Sequence, residues 1–162
     1  MDKPPTRACF AVKRLPRGAL CEIECIALKD GSSSRETIPG NKLFSKAVIT
    51  DDLVFVAGQL ALDPSSGTKE LVSKGDPAGE ARQALKNIVT VLHEAGAKPK
   101  HITRMTWYLI DLDEYNSSLR QLGQVYHEVI GKVFPAMTGV QVAGLVEKDA
   151  KLEIEVTAVI PD

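Results

Sequence analysis

The chain has 162 residues, a formal net charge of −1 and 44% hydrophobic residues, which suits one domain with an ordinary core. That balance carries no electrostatic footprint of a nucleic-acid binder or an acidic-membrane binder. The opening stretch, with Lys3, Pro4, Pro5 and Arg7, lacks the apolar run of a signal peptide, and the longest apolar runs, near 53–57 and 140–145, are too short to span a bilayer; a cytoplasmic protein is expected.

The first 34 residues stand apart as an N-terminal extension, followed by a domain over 35–162. Segments 7–12 and 19–28 alternate apolar with polar residues around Leu15-Pro16-Arg17-Gly18, which predicts a β-hairpin docked on a sheet edge. Gly31-Ser32-Ser33-Ser34 then reads as a linker. All three cysteines, Cys9, Cys21 and Cys25, lie here, and an odd number without a secretory signal suggests reduced thiols. Cys21 and Cys25 would share a strand face, but zinc wants a fourth ligand and a tighter knuckle, so no metal is expected.

Further on, Leu53-Val54-Phe55-Val56-Ala57 is a strand apolar on both faces, preceded by at least one more strand and followed by a turn cluster at 63–67. Asp76-Pro77 opens a helix as N-cap and first-turn proline; Ala81, Leu85, Ile88, Leu92 and Ala95 form its apolar stripe, and Gly96 ends it. Glu80, Arg82, Lys86 and Asn87 are assigned to its wet side. Residues 102–110 read as a strand. Asp111 and Asp113 favour a helix start, with Tyr115, Leu119, Leu122, Tyr126 and Val129 as its stripe up to Gly131. Two strands, 137–142 and 152–160, close the chain. Helices can cover one sheet face only, so the other, assigned to Val54, Val56 and the last strands, is expected to need partners.

Residues 5–28 can be laid over 135–159 with a single gap. Pro5, Val12 and Leu15 match Pro135, Val142 and Leu145; Ala19, Glu22, Ile23, Glu24 and Ala27 match Ala150, Glu153, Ile154, Glu155 and Ala158. Two readings stand: a duplicated terminal module, or amphipathic hairpins alike by chance.

From Arg35 to Ile160 the sequence resembles the Rid family (the YjgF/UK114 group). Leu53-Val54-Phe55-Val56-Ala57-Gly58-Gln59, Gln83-Ala84-Leu85-Lys86-Asn87-Ile88, Tyr108-Leu109-Ile110-Asp111, Val125-Tyr126, Pro135-Ala136 and Leu152-Glu153-Ile154-Glu155-Val156 carry the match. The resemblance implies an α+β, chorismate-mutase-like (Bacillus-type) subunit: a mixed six-stranded sheet with two helices on one face. Three such sheets would form a trimeric barrel, with small-molecule pockets between neighbours.

Active members of the family hydrolyse 2-imino and 2-enamino acids without a metal or organic cofactor. A substrate carboxylate needs an arginine fork, and water needs a positioned acid/base group. In the family an arginine follows the Pro-Ala pair, a tyrosine lies near the start, and a glutamate sits on the last strand. Here the glutamate is Glu153, while Met137 takes the arginine position, Phe44 the tyrosine position, and Gly139 that of a common cysteine. In the repeat, Arg7 is equivalent to Met137 and Glu22 to Glu153.

Three functions follow. The first is imine or enamine deamination with Glu153 activating water, a pocket lined by Phe44, Gly58, Met137 and Gly139, and Arg7 as a restored anchor. The second is a non-catalytic trimeric metabolite binder, in which Glu153 is an ordinary strand carboxylate and Arg7 a solvated terminal arginine. The family's ribonuclease and translation-inhibitor names rank last, because His93, His101 and His127 form no evident pair and no basic-aromatic stripe is present.

Overall fold

A computed structural model describes residues 4–27, 35–66 and 70–161. Its strands and helices in chain order are β1 (Phe10–Ala11), β2 (Arg35–Pro39), β3 (Ser45–Thr50), β4 (Leu53–Gln59), α1 (Pro77–Glu94), β5 (Ile102–Leu109), α2 (Leu112–Val129), β6 (Ala136–Gln141), β7 (Gly144–Leu145) and β8 (Leu152–Val159). Six strands form one sheet in the order β2-β3-β4-β8-β5-β6. All its pairs are antiparallel except β5 with β6, so the sheet is mixed. The fold is α+β, and its elements follow the expected order.

Local chemistry explains both helix starts. The Asp76 side chain accepts from Ala78 N ahead of Pro77, and Asp111 accepts from Asp113 N and Glu114 N. Gly96 (φ +76°) and Gly131 (φ +87°) take left-handed conformations just past the ends, where a side chain would be strained. Ala81, Leu85, Ile88 and Leu92 of α1, with Leu122 and Val125 of α2, pack on Val54, Val56, Met105, Trp107 and Ile154. Both helices therefore cover one sheet face.

That packing corrects two expectations. Val54 and Val56 belong to the helix-covered core, so by alternation Val48, Leu53, Phe55, Thr157 and Val159 supply the open face, where they are half-buried. Glu80 is not on the wet side: it is fully buried. Its carboxylate accepts from Gly75 N (2.9 Å) and Lys151 N (2.7 Å), bridging the loop before α1 to the start of β8. Burial raises its pKa against those two bonds. Asn87, half-buried, donates to the carbonyls of Leu60 and Leu62 and so ties α1 to the chain leaving β4. On α2 the stripe is narrower than the spacing suggests, since Leu119 is 50% exposed.

The N-terminal hairpin does not form. The turn is present at Pro16–Gly18, but Phe10 and Ala11 pair antiparallel with Leu145 and Gly144 of β7 instead of with residues 19–27. Residues 19–27 are exposed and carry no strand, so Cys21 and Cys25 share no strand face; Leu28 and the linker lie outside the described residues. The reason is burial. The first segment has a sheet face to cover, whereas Leu20, Ile23 and Ile26 of the second find none, and an isolated two-stranded hairpin is marginal in water.

Removing the buried bridge tests this account of the core. Glu80→Ala strands two backbone donors and is expected to cost about 3 kcal/mol in denaturant unfolding. Glu80→Gln, which keeps an acceptor, should cost clearly less.

Candidate functional site

Alternation along β8 sends Leu152, Ile154 and Val156 into the helix-side core and Glu153 and Glu155 to the open face. Glu153 is nonetheless only 5% exposed. Two features bury it. A register shift in β4 between Val56 and Gln59 brings Gly58 against its side chain, so closely that a methyl group at Gly58 would overlap the carboxylate. Any side chain there would require the Glu153 carboxyl to move.

The second feature is the N-terminal segment, which crosses this part of the open face. Its backbone holds it at regular intervals. Ser45 N donates to Pro5 O (2.8 Å), Gly58 N to Arg7 O (3.1 Å) and Ala143 N to Ala11 O (2.8 Å), while Cys9 N donates to the Glu153 carboxylate. Pro4 O accepts from Ser45 Oγ and from Arg35 Nη2. Phe10 stacks on Tyr108 with ring centroids 4.3 Å apart, and the Arg7 guanidinium lies over the Phe44 ring, 5.4 Å from its centroid.

Burial, aided by the nearby charge of Glu155, pushes the Glu153 carboxyl up from 4.5 to about 7; Arg7 and the Cys9 amide pull the other way. Glu155, two residues on, meets a different neighbour: the Tyr108 hydroxyl donates to its Oε1 at 2.9 Å. Burial first, and then Glu155, raises the Tyr108 pKa, so this hydroxyl keeps its proton. The site therefore holds a carboxyl that exchanges its proton near neutrality, beside an arginine whose guanidinium lies over an aromatic ring.

Arg7, Phe44, Gly58 and Glu153 come together. Met137 and Gly139 do not join them within one chain, because they lie on β6, separated from β8 by β5. Sequence reasoning missed the Cys9 amide, Ser45 and the Tyr108–Glu155 pair. A signal for Tyr108 was available, since it stands between Trp107 and Leu109 and so faces away from their apolar stripe.

The domain carrying this site has recognisable relatives. Residues 36–160 match the family described as Endoribonuclease L-PSP. A human 2-iminobutanoate/2-iminopropanoate deaminase is 37% identical over 116 residues, covering 72% of this chain and 79% of that protein. A RutC family protein of Pyrococcus abyssi is 36% identical over 115 residues, covering 71% of this chain and 84% of its own. A Mycobacterium tuberculosis structure from the highly conserved YjgF/YER057c/UK114 family superposes with TM-score 0.62 at 29% identity, over 78% of this chain and 100% of that one. The chain belongs to the Rid/YjgF family, the Endoribonuclease L-PSP family of the matching profile.

The buried carboxyl links stability to pH. Its folded pKa lies above the unfolded value, so the folded state holds the proton more tightly, and stability falls as pH rises from about 4.5 to about 7. Across that window the wild type should lose stability relative to Glu153→Gln, by roughly 3 kcal/mol at most. Paired thermal melts at pH 4.5 and pH 7.5 measure the difference; parallel curves would mean that Glu153 titrates as an exposed carboxylate.

Proposed function

We propose that this protein hydrolyses reactive 2-imino acids, and their 2-enamino tautomers, to 2-oxo acids and ammonia at the site around Glu153. The single observation that carries the reading is a buried carboxyl with a pKa of about 7 next to an arginine. At neutral pH such a carboxyl is present in both protonation states, as a general acid/base requires. The names of relatives such as the human deaminase support the same reaction class.

Hydrolysis of the C=N bond places two demands on the site. The imine nitrogen takes a proton, which protonated Glu153 donates. Water then adds to the imine carbon while the carboxylate accepts its proton, forming a carbinolamine. Returning that proton to nitrogen lets the C–N bond break; the carboxylate takes the carbinolamine hydroxyl proton as the C=O bond forms, so ammonia and the 2-oxo acid leave and Glu153 is protonated again. Arg7, in place of the absent arginine at 137, holds the substrate carboxylate, and its stacking on Phe44 keeps the guanidinium beside the acid/base group. Gly58 leaves room for the reacting carboxyl.

Our reading extends to a homotrimer, built through the open face around Val48, Phe55 and Val159. A non-catalytic metabolite binder is the second reading. The cover over Glu153 by Arg7 and Cys9 favours it, because substrate reaches the carboxyl only when that cover moves.

Two measurements separate these readings. Freshly generated 2-iminopropanoate and 2-iminobutanoate should be hydrolysed faster with the protein than without it. Glu153→Gln should cut that turnover at least tenfold, at the low end for losing an acid/base group. Equal turnover by the variant would assign the carboxyl to structure alone. For assembly, sedimentation at micromolar concentration should report three copies, and Phe55→Lys should lower the mass.

A further inference from the structure

The second half of the N-terminal extension reads nearly the same from either end. Residues 19–27 run Ala-Leu-Cys-Glu-Ile-Glu-Cys-Ile-Ala, a palindrome about Ile23 broken only by the isomers Leu20 and Ile26. Among the described residues this stretch pairs with no strand. All nine of its residues are exposed, with Leu20, Ile23 and Ile26 at 101%, 86% and 79%, and Cys21 and Cys25 are free thiols. The aligned strand β8 shows what is particular to it. Ala150, Glu153, Ile154, Glu155 and Ala158 recur as Ala19, Glu22, Ile23, Glu24 and Ala27. The four positions that differ fall in two mirror pairs: Lys151 and Thr157 become Leu20 and Ile26, and Leu152 and Val156 become Cys21 and Cys25. The first pair makes both ends of one face apolar, and the second sets thiols where β8 buries aliphatic side chains.

A segment with this symmetry is complementary to itself. In an antiparallel pair centred on Ile23, Ile23 meets its own copy, Leu20 meets Ile26, and each Cys21 stands opposite a Cys25. Directly opposed Cα atoms in such a ladder lie about 4.5 or 5.5 Å apart, according to their hydrogen bonding, and both spacings suit a disulfide. Within one extended strand the two cysteines are about 13 Å apart, beyond the reach of that bond. Parallel pairing would oppose Cys21 with Cys21, and a slip of one or two residues takes every thiol off its partner. One term works against the pair. Glu22 faces Glu24 of the other copy, and like charges opposed in a ladder repel. A two-stranded ribbon is marginal in water besides, so covalent bonds decide whether this one persists.

We infer that residues 19–27 are a redox-dependent coupling strand, which pairs antiparallel with the same residues of a second copy and is locked by two disulfides, each joining Cys21 of one chain to Cys25 of the other. The oxidant is a small-molecule disulfide such as oxidised glutathione. The Cys21 thiolate attacks one of its sulfurs and expels a glutathione thiolate. The second copy's Cys25 thiolate then attacks the mixed disulfide and expels the other. Two protein thiols are oxidised, one glutathione disulfide is reduced, and the two thiol protons end on the two glutathione molecules released. Neither the open sheet face nor Glu153 takes part, so this link stands apart from the homotrimer and from the hydrolysis proposed above.

The test uses the full-length chain carrying Cys9→Ser, equilibrated with oxidised and reduced glutathione, blocked with a thiol reagent and run on a denaturing gel without reductant. A band at twice the chain mass should form and should collapse when reductant is added. Two further variants on that background, Cys21→Ser and Cys25→Ser, read the register. Each alone should give at least tenfold less of the band than their equimolar mixture, because only the mixture opposes Cys25 of one chain with Cys21 of another. Ile23→Pro, which breaks the ladder at its centre, should lower the yield at least tenfold. Glu22→Gln/Glu24→Gln should raise it at least threefold. Thermal melts of the reduced variants should match the parent, since residues 19–27 are exposed. Equal bands from the single variants and from their mixture would overturn the inference, for thiols then meet without a register. So would a chain that oxidises only within itself, or a yield that Ile23→Pro leaves unchanged.

Discussion

A carboxyl packed against backbone organises this part of the molecule. Glu153 occupies space that any side chain at position 58 would need, and it lies under a segment whose Cys9 amide it accepts from. The arrangement requires three things at once: a glycine, a shift of register in β4 that presents it, and a covering segment. Burying an ionised carboxylate is costly, and the group responds by holding its proton to about pH 7. Packing and acid/base character are consequences of the same contact.

Two glutamates on one strand face show how much the neighbourhood decides. Glu155 receives a hydrogen bond from Tyr108 and remains half-buried, whereas Glu153 sits beneath the segment. Each affects the other, since the charge of Glu155 helps raise the Glu153 pKa. Arg7 opposes that rise without cancelling it, because its guanidinium is exposed and lies over Phe44. The result is a proton that moves near neutrality next to a charge that does not.

Two stretches of one chain that align without a gap have taken different structural roles. Residues 135–141 follow α2 directly and pair with β5, which leaves one edge of β6 open. Residues 5–11 have no such neighbour in sequence and settle on a sheet face that the helices leave bare. The second half of the extension, residues 19–27, has the alternating pattern of a strand and no surface to place it on. A pattern states what a segment can bury; whether a surface exists for it is decided elsewhere in the fold.

Much of the fold was legible in the sequence because local rules and hydrophobic period agreed. Asp76-Pro77 and Asp111 marked the helix starts, Gly96 and Gly131 the ends, and alternation located β4, β5 and β8. Glu153 and Gly58 were also nameable from the sequence. What the sequence left open was every property that depends on contact between distant segments. Glu80 has the spacing of a wet-side residue, yet the loop before α1 and the start of β8 both bring it amides to bind. Val54 and Val56 alternate as either face would, and only the position of α1 says which is covered. Arg7 lies 146 positions from Glu153 in the sequence, and only tertiary docking makes the two neighbours. Periodicity reports one residue's preference for burial, whereas a charge, a proton and a register are set by what arrives from the rest of the chain.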